Sequence, residues 1–293
     1  GRRYIVGLAN GSAVSALLRP ESAGSDSSWK VEHGSSAVTA VALCPDFCSL
    51  PEESQLCCTG GVDGRLLLHK RLRGSGRTLV QSGDGAIEEV AWRGSFVAWA
   101  SAAGVKILSI ATGQKIAFLP WPEDELPRST RCRLVWCSDM RLLLSSGHRV
   151  KAVSVQPMGV DNVLFYAQVH RHIRFDGQVC GMAPLSEDSD ANIVALIADA
   201  SAGFSLQLCG QGSDESHEAC VFHREVLPLP RALSRDAVHL LRAAAHLPMY
   251  VAAPIELIAF QVMDIIEHCI ALIEKKCFDE AIDLVNFGGQ GSP

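Results

Sequence analysis

The feature that most constrains this chain is a β-hairpin signal that returns along most of its length. Short apolar runs flank a glycine-containing turn each time, as Leu56–Thr59 and Arg65–His69 flank Asp63-Gly64. An Asp-Gly pair favours a hairpin because both turn positions tolerate positive φ. The hairpin recurs every 40 to 56 residues, with turn glycines at Gly11, Gly64, Gly104, Gly147 and Gly203. This period predicts the four-stranded blades of a β-propeller similar to those of WD-repeat proteins.

Three further apolar segments precede hairpins and are predicted to be the inner strands of their blades. They are Val38–Leu43, Ile87–Trp92 and Val179–Ala183. The longest glycine spacings require insertions, which the polar, Gly/Ser-rich segments Glu21–Ser28 and Gly210–Ser216 supply. These two segments are predicted to be loops.

Composition narrows the class of protein. The chain has 293 residues, of which 48% are hydrophobic and 20% charged, so it can bury a large core. Its formal net charge is −6. Nucleic-acid backbones are bound by a surplus of Lys and Arg, so no nucleic-acid partner is expected.

The cysteines indicate a reducing compartment. There are 11 of them, an odd number, without a Cys-x-x-Cys pair, and most lie in apolar runs. Free cysteine behaves as a small buried hydrophobe, and a secreted disulfide framework would use an even set.

Three groups of residues have spacings that resemble metal ligands, although no metal or cofactor is expected. On a strand, the middle member of the His-Cys-His group would point away from both histidines. Core cysteines and surface histidines therefore explain these groups better than a four-ligand zinc site. The groups are Cys44 and Cys48 with Cys57 and Cys58; Cys132 with Cys137; and His217, Cys220 and His223.

No catalytic site is predicted. Phosphate-loop, nucleophile-elbow and zinc-protease motifs are absent from the sequence. The acidic pairs, such as Glu52-Glu53 and Glu187-Asp188, lie in polar loops without the burial that tunes a catalytic acid. The basic segment His170–Arg174 is interpreted as an inter-strand loop, with contact to an acidic partner or an anionic lipid headgroup as the alternative.

Three tryptophans receive a structural interpretation. Trp92, Trp99 and Trp136 lie in strand-like sequence, where large aromatic side chains fill the interface between blades.

The pattern changes to a helical one after Gln261. Ile265, Cys269, Leu272 and Ile273 form one apolar stripe, and Phe278, Ala281, Ile282 and Val285 form a second. Two short amphipathic helices cannot bury both stripes alone, so they predict the first unit of an α-solenoid. The predicted domains are therefore propeller blades at 1–262, helical repeat at 263–287 and a disordered tail at 288–293.

Several blocks resemble the vacuolar protein sorting-associated protein 41 family, whose members are subunits of the homotypic fusion and protein sorting (HOPS) complex. The most specific block is Val90-Ala91-Trp92-Arg93-Gly94, followed by Phe96–Ala100 and Gly104–Ile107. Supporting blocks extend the resemblance from about residue 38 to 287. They are Ala42–Phe47, Thr59–Gly61, Gly181–Leu185, Tyr250–Pro254 and Ile273–Ala281, the last similar to the start of a clathrin-heavy-chain-type repeat.

The resemblance implies a non-catalytic scaffold that tethers late endosomes or transport vesicles to the lysosome or vacuole. The implied partners are other HOPS subunits and a Rab-type small GTPase, with a vesicle adaptor complex and fusion machinery as further candidates. The implied location is cytoplasmic and peripheral on those membranes. The family carries no catalytic residues to transfer to this chain.

Two alternatives remain open: a propeller–solenoid subunit of another coat or lattice, and an enzyme built on a propeller. The chain opens in strand-like sequence at Tyr4–Leu8 and is interpreted as a piece of a longer protein, with a propeller incomplete at its start. An open propeller exposes unpaired strand edges, so the isolated piece is expected to be marginally soluble. A monomeric, cooperatively melting piece would contradict this expectation.

Overall fold

Antiparallel sheets of three or four strands follow one another along the chain in this computed structural model. Within each sheet the strands are hydrogen-bonded in chain order, as short turns between alternating strands require. The structure describes residues 2–18, 28–71, 76–122, 131–159, 163–186, 190, 192–200, 203–210, 220–242, 248–262, 270, 273–274, 276–278 and 282.

The first three sheets are blades 1 to 3. Blade 1 contains β1 (Arg2–Gly7), β2 (Ser12–Leu18) and β3 (Trp29–Glu32). Blade 2 contains β4 (Val38–Leu43), β5 (Leu56–Gly61), β6 (Leu66–Lys70) and β7 (Gly76–Gln81). Blade 3 contains β8 (Ile87–Arg93), β9 (Phe96–Ser101), β10 (Gly104–Ser109) and β11 (Lys115–Pro120).

The remaining sheets are blades 4 to 6. Blade 4 contains β12 (Arg133–Ser138), β13 (Arg141–Ser146), β14 (Arg149–Met158) and β15 (Leu164–Arg174). Blade 5 contains β16 (Gln178–Pro184), β17 (Ile193–Asp199), β18 (Gly203–Gly210) and β19 (Cys220–Val226). The sixth sheet contains β20 (His239–Arg242), β21 (Met249–Ala253) and β22 (Glu256–Phe260). Short 3₁₀ turns occur at Glu52–Ser54 and Arg235–Ala237.

The first strands of blades 2 to 5 pack side by side, β4 on β8, β8 on β12 and β12 on β16. This arrangement confirms the three predicted inner strands, which are β4, β8 and β16. The fold is therefore a mainly-β propeller with six blades among the described residues.

The hydrophobic core lies between successive blades and not in one central cluster. Blades 3 and 4 share a cluster that includes Phe96, Ile107, Leu142 and Val153. Blades 4 and 5 share a second cluster around Leu143, Ile173 and Ile197. Blades 2 and 3 share a third, in which Trp99 is fully buried. Since each sheet buries both faces, alternate side chains of one strand serve two different interfaces.

The first hairpin is packed as the later ones are. Gly64, Gly104, Gly147 and Gly203 each join the second and third strands of a four-stranded blade, and Gly11 joins β1 to β2 of the three-stranded first sheet. Gly11 abuts the Gly34 carbonyl just before β4, as Gly64 abuts the Gly85 carbonyl just before β8, so these two turns are equivalent. Both turns favour glycine for the same local reason, since Gly11 and Gly64 have φ of 82° and 75°.

The chain divides into two compact units, residues 1–240 and 241–293. Most of the predicted helical repeat at 263–287 lies outside the described residues, although Ile270, Ile273, Glu274, Phe278 and Ile282 are helical. These positions do not establish a solenoid, so the helical repeat and the predicted domain bounds stay predictions. Among the described residues, no helix is long and apolar enough to span a membrane.

Candidate functional site

A buried polar network lies in blade 2. His33 precedes β4, Thr59 lies on β5, His69 lies on β6 and Asp63 lies in the β5–β6 turn. The Thr59 hydroxyl lies 2.7 Å from His33 Nδ1 and 2.7 Å from His69 Nε2. His33 Nε2 lies 3.2 Å from Asp63 Oδ1, and Arg65 Nε donates to Asp63 Oδ2 at 2.6 Å.

When both histidines are neutral, the number of available protons fixes which atom donates in each hydrogen bond of this network. His33 then donates from Nε2 to Asp63, so its Nδ1 accepts the Thr59 proton and the Thr59 oxygen accepts from His69 Nε2. Burial, with the nearby charges of His33 and Arg77, lowers the pKa of His69 to about 4. Burial alone would raise the pKa of Asp63, but hydrogen bonds from Arg65 and His33 outweigh it and lower that pKa to about 2.

The Asp-His-Thr order has the components of a hydrolytic triad, but its hydroxyl is unreachable. Thr59 and His33 are both 0% exposed, and the Thr59 oxygen is already held by two imidazoles. A nucleophile must contact its substrate, so this network is structural. It joins the segment before β4 to the β5–β6 turn.

The prediction from sequence overlooked this network. Its signal was present as a histidine before the first strand of a blade, a threonine on the second and an aspartate in the next turn. In propellers with WD signatures, polar residues at such positions recur with the blade period.

A second charged cluster lies where the first strands of blades 3 to 5 begin. Arg133 Nη1 lies 3.7 Å from Glu89 Oε2, and Arg133 Nε donates to the Cys180 carbonyl at 3.1 Å. Arg133 Nη2 also donates to the Asp236 carbonyl at 3.4 Å. Burial raises the pKa of Glu89, and the charge of Arg133 offsets this only in part. The cluster links three blades and leaves Arg133 only 13% exposed, which indicates a structural role.

The basic segment His170–Arg174 lies on a strand, so its interpretation as a loop is wrong. It is the end of β15, the outermost strand of blade 4. Its first two residues contact the next blade. His170 Nε2 lies 2.6 Å from Asp190 Oδ2, and Arg171 donates to the carbonyls of Asp190 (2.7 Å) and Gly210. Arg141 pairs with the other Asp190 oxygen.

A β-bulge explains how the consecutive residues His170 and Arg171 both reach Asp190. Val153 lies opposite Val169, but Ala152 lies opposite Arg171, so His170 is the extra residue. A bulge re-aims side chains that would otherwise alternate across the sheet. Hydrogen bonds from Arg141 and His170 outweigh burial and lower the pKa of Asp190.

The β14–β15 hairpin is the longest in the described part of the chain. These strands have 10 and 11 residues, whereas the outer strands β7, β11 and β19 have 6, 6 and 7. Apolar side chains at its far end face solvent. Met158, Val163 and Leu164 are 53%, 54% and 50% exposed, and Tyr166 is 37% exposed.

Gln114 fixes this hairpin against blade 3. Its Nε2 donates to the Phe165 carbonyl at 2.8 Å, and its Oε1 accepts from the Phe165 N–H at 2.9 Å. Beneath this contact, Phe96 stacks on Trp136 with ring centroids 6.1 Å apart and meets the Phe165 ring edge-on at 5.0 Å. The hairpin is therefore rigidly placed where it leaves the interface between blades.

The tryptophans lie at interfaces between blades, as predicted, with different burial. Trp99 is fully buried between blades 2 and 3, and Trp136 is half-buried and donates to the Ala91 carbonyl of blade 3 at 3.2 Å. Trp92 is half-buried and donates to the Gly94 carbonyl at 3.1 Å. The adjacent Arg93 pairs with Asp139 of blade 4 at 2.8 Å, so the Trp-Arg-Gly block, where β8 ends, contacts the next blade.

Among the described residues, no three His, Cys, Asp or Glu side chains converge as metal ligands would. Cys44, Cys57, Cys58, Cys132 and Cys137 are buried free thiols, and Cys48 is exposed. Burial is the main cause that raises the pKa of Cys57 and Cys58, which keeps these thiols protonated. In the third group, His217 lies outside the described residues, and Cys220 and His223 lie on β19.

Residues 25–208 match a family model, Beta-prop_Vps41, described as "Vps42 beta-propeller". The chain is also similar to relatives named vacuolar protein sorting-associated protein 41 homolog, such as those of Danio rerio, Mus musculus and Arabidopsis thaliana. The Danio rerio relative is 26% identical over 271 residues, covering 84% of this chain and 30% of the relative. The Mus musculus relative is 24% identical over 247 residues, covering 76% and 27%. The Arabidopsis thaliana relative is 34% identical over 119 residues, covering 40% and 12%. This chain thus spans less than a third of the length of each.

Solved structures show the same fold at low identity. A chain of the Mitotic Checkpoint Complex crystal structure aligns with a TM-score of 0.61 and 14% identity, covering 89% of this chain and 73% of that one. The Cps50 (Swd1) β-propeller domain of Myceliophteria thermophila aligns with a TM-score of 0.52 and 11% identity, covering 78% and 66%. At this low identity the solved structures show only the fold. The family model, by contrast, covers more than half of the chain and shows the family. The chain therefore belongs to the Vps41 β-propeller family.

Proposed function

We propose that this chain is part of a non-catalytic tethering subunit that acts in fusion of late endosomes or transport vesicles with the lysosome or vacuole. The family match over residues 25–208 carries the proposal, together with relatives named for vacuolar protein sorting. The family resemblance supplies the proposed partners: other HOPS subunits, a Rab-type small GTPase, a vesicle adaptor complex and fusion machinery. The proposed location is cytoplasmic and peripheral on late endosomal, lysosomal or vacuolar membranes.

The described residues favour a scaffold over an enzyme. The Asp63-His33-Thr59 group is closed to substrate, and Glu89, whose pKa is raised, is held by Arg133 in a contact between blades. Rigid sheets with solvent-exposed turns and edges are suited to protein contacts. Turnover of simple ester, glycoside or phosphate substrates by the purified full-length protein would overturn this part of the proposal.

A reconstituted tethering assay tests the proposed function. Full-length protein, assembled with the other HOPS subunits, is mixed with two differently labelled populations of vesicles carrying the membrane-anchored Rab-type GTPase. The complete complex should cluster the two populations, and the complex assembled without this subunit should lose that activity. Equal clustering by both complexes would contradict a tethering role for this subunit.

The alternative is a propeller–solenoid subunit of another coat or lattice, since propellers serve many assemblies. The proposed clathrin-heavy-chain-type repeat at 263–287 would suit either role. The Trp-Arg-Gly block and the family match favour tethering.

A further inference from the structure

The outer edge of blade 4 differs from the other blade edges in length, exposure and charge. β15 has 11 residues and ends its sheet, and the apolar side chains Leu164 and Tyr166 face solvent near its start. β14 and β15 together carry no acidic residue, although the whole chain has a net charge of −6. Their basic residues are Arg149, Lys151, His170, Arg171, His172 and Arg174.

Two of these cations are available to a partner. Arg171 and His170 are engaged by Asp190 and Gly210, as described above. By contrast, Lys151 and Arg174 have no ion-pair partner in the described part of the chain, and Arg174 is exposed. Lys151 on β14 and Arg174 on β15 lie at the same end of the hairpin, two residue pairs apart in register. Opposite charges on neighbouring strands attract, so an acidic side chain brought to this end would be stabilised by both.

Part of the β15 main chain can accept another strand. The N–H and C=O of Phe165 point away from β14 but are already bonded to Gln114 of blade 3, so new pairing would begin beyond Phe165. Hydrogen-bonding direction alternates along an antiparallel strand, so Ala167 and Val169 point outward as well, up to the bulge at His170. An extended segment placed there would pair with β15 as an additional strand of the sheet.

Side-chain placement favours binding along this edge over binding on one face. Lys151 shares a face of β14 with Val153, which packs toward blade 3, whereas the opposite face of the hairpin carries Met158, Leu164 and Tyr166. An added strand presents alternate side chains to both faces, so it can place acidic residues near Lys151 and apolar residues near Leu164 and Tyr166.

We propose that the outer edge of β15 is a docking site for an extended segment of a partner protein that carries acidic residues at the Lys151/Arg174 end and apolar residues at the Leu164/Tyr166 end. The hairpin is already held by Gln114 and Asp190, so little ordering of this surface is needed on binding. A docking site of this kind would suit a scaffold of any assembly. A negative result for the docking site would therefore leave the tethering proposal standing, and the two outcomes are distinguishable.

A random peptide library displayed on phage, selected on the immobilised full-length protein, tests the proposal. Enriched peptides should combine Asp or Glu with apolar residues. Synthetic versions should bind wild-type protein and lose at least about tenfold in affinity with Lys151→Glu/Arg174→Glu or with Leu164→Ser/Tyr166→Ser. Lys70→Glu, exposed on β6 of blade 2 and away from this edge, is the matched control and should bind as wild type does.

Ala167→Pro tests the main-chain contact, because proline removes an outward N–H that an edge strand does not need for its own fold. Peptide affinity should fall while the melting temperature is kept. The proposal is overturned if no acidic–apolar peptide is enriched, or if such peptides bind the charge-reversed variant equally well. It is also overturned if anionic phosphatidylserine vesicles, and not peptides, bind in a manner that depends on Lys151 and Arg174.

Discussion

At the scale of single residues, one hydroxyl organises the interior of blade 2. Thr59 is fully buried, and its oxygen bridges two imidazoles that come from different parts of the blade. Removing it would leave a nitrogen of His33 and a nitrogen of His69 without a hydrogen-bond partner. Buried polar atoms that lose a partner cost more than the bond itself contributed.

Thr59→Val tests this bridge, because valine keeps the shape of threonine and removes only the hydroxyl. Two unsatisfied nitrogens at about 1–3 kcal/mol each predict a loss of about 2–6 kcal/mol in the free energy of unfolding. Urea unfolding measures it. Thr78→Val on the exposed outer strand β7 is the control and should change stability by less than about 0.5 kcal/mol. A loss no larger than that of the control would show that the bridge is dispensable.

The pKa of His69 predicts a pH dependence of stability. It lies near 4 in the fold, against an ordinary value of 6.5, and burial is the main cause. Between these values the unfolded chain binds more protons than the folded one, so the free energy of unfolding falls as pH drops from about 6.5 to about 4.

Unfolding curves of wild type and His69→Gln at several pH values test this dependence. Glutamine can donate to Thr59 but does not titrate, so the variant should lose about 1–3 kcal/mol less than wild type across that window. Parallel losses in the two proteins would assign the acid sensitivity to other groups.

Glycines in the same blade are fixed by packing. A Cβ on Gly60 would lie 2.4 Å from the Ile87 side chain, and one on Gly61 would lie 2.4 Å from His33 Nε2. The Thr59-Gly60-Gly61 block therefore combines a bridging hydroxyl with two places where only glycine fits. Sequence reasoning identified this block by resemblance, but its physical role depends on His33, which is distant in sequence.

At the scale of elements, strands were predictable wherever a turn signal fixed the hairpin. The predicted segments around Gly64, Gly104, Gly147 and Gly203 correspond closely to β5–β6, β9–β10, β13–β14 and β17–β18. Local turn chemistry is enough to place such hairpins. It does not show which two strands of a blade a turn joins, because that depends on pairing with strands that are distant in sequence.

The outer strands were harder to predict. β15 carries both core-facing and exposed residues, and its basic end resembled a solvated loop because the bulge at His170 interrupts the alternation. The ion pairs with Asp190 cross between blades and leave no local signal in the sequence.

Trp99 tests the packing between blades 2 and 3. Its side chain is 0% exposed, so Trp99→Ala should cost about 3–5 kcal/mol in the free energy of unfolding. Its indole N–H has no hydrogen-bond partner among the described residues. Trp99→Phe removes that unsatisfied donor along with part of the ring, so it should cost clearly less than the alanine variant.

Trp92→Ala is the matched comparison for Trp99→Ala. Trp92 is only half-buried, so its truncation should lower the free energy of unfolding by less. Thermal and urea unfolding of the three variants supply the ranking. Equal losses for Trp92→Ala and Trp99→Ala would contradict the assignment of Trp99 to the interface core.

At the scale of the whole molecule, the chain folds as a mainly-β propeller and matches the family model over residues 25–208. The role in tethering is proposed from that match. Composition and the hairpin period were enough to predict the propeller, because each blade repeats one local pattern. They were not enough to predict the function, since propellers of similar shape serve unrelated assemblies. The family match, with relatives named for vacuolar protein sorting, supports the proposed function.

The most direct test of the central claim is affinity purification of the full-length protein from its own cells, with mass spectrometry of the proteins that come with it. A tethering subunit should recover the other HOPS subunits in stoichiometric amounts. Recovery of coat or lattice proteins without HOPS subunits would contradict the tethering role and leave the propeller fold unchanged.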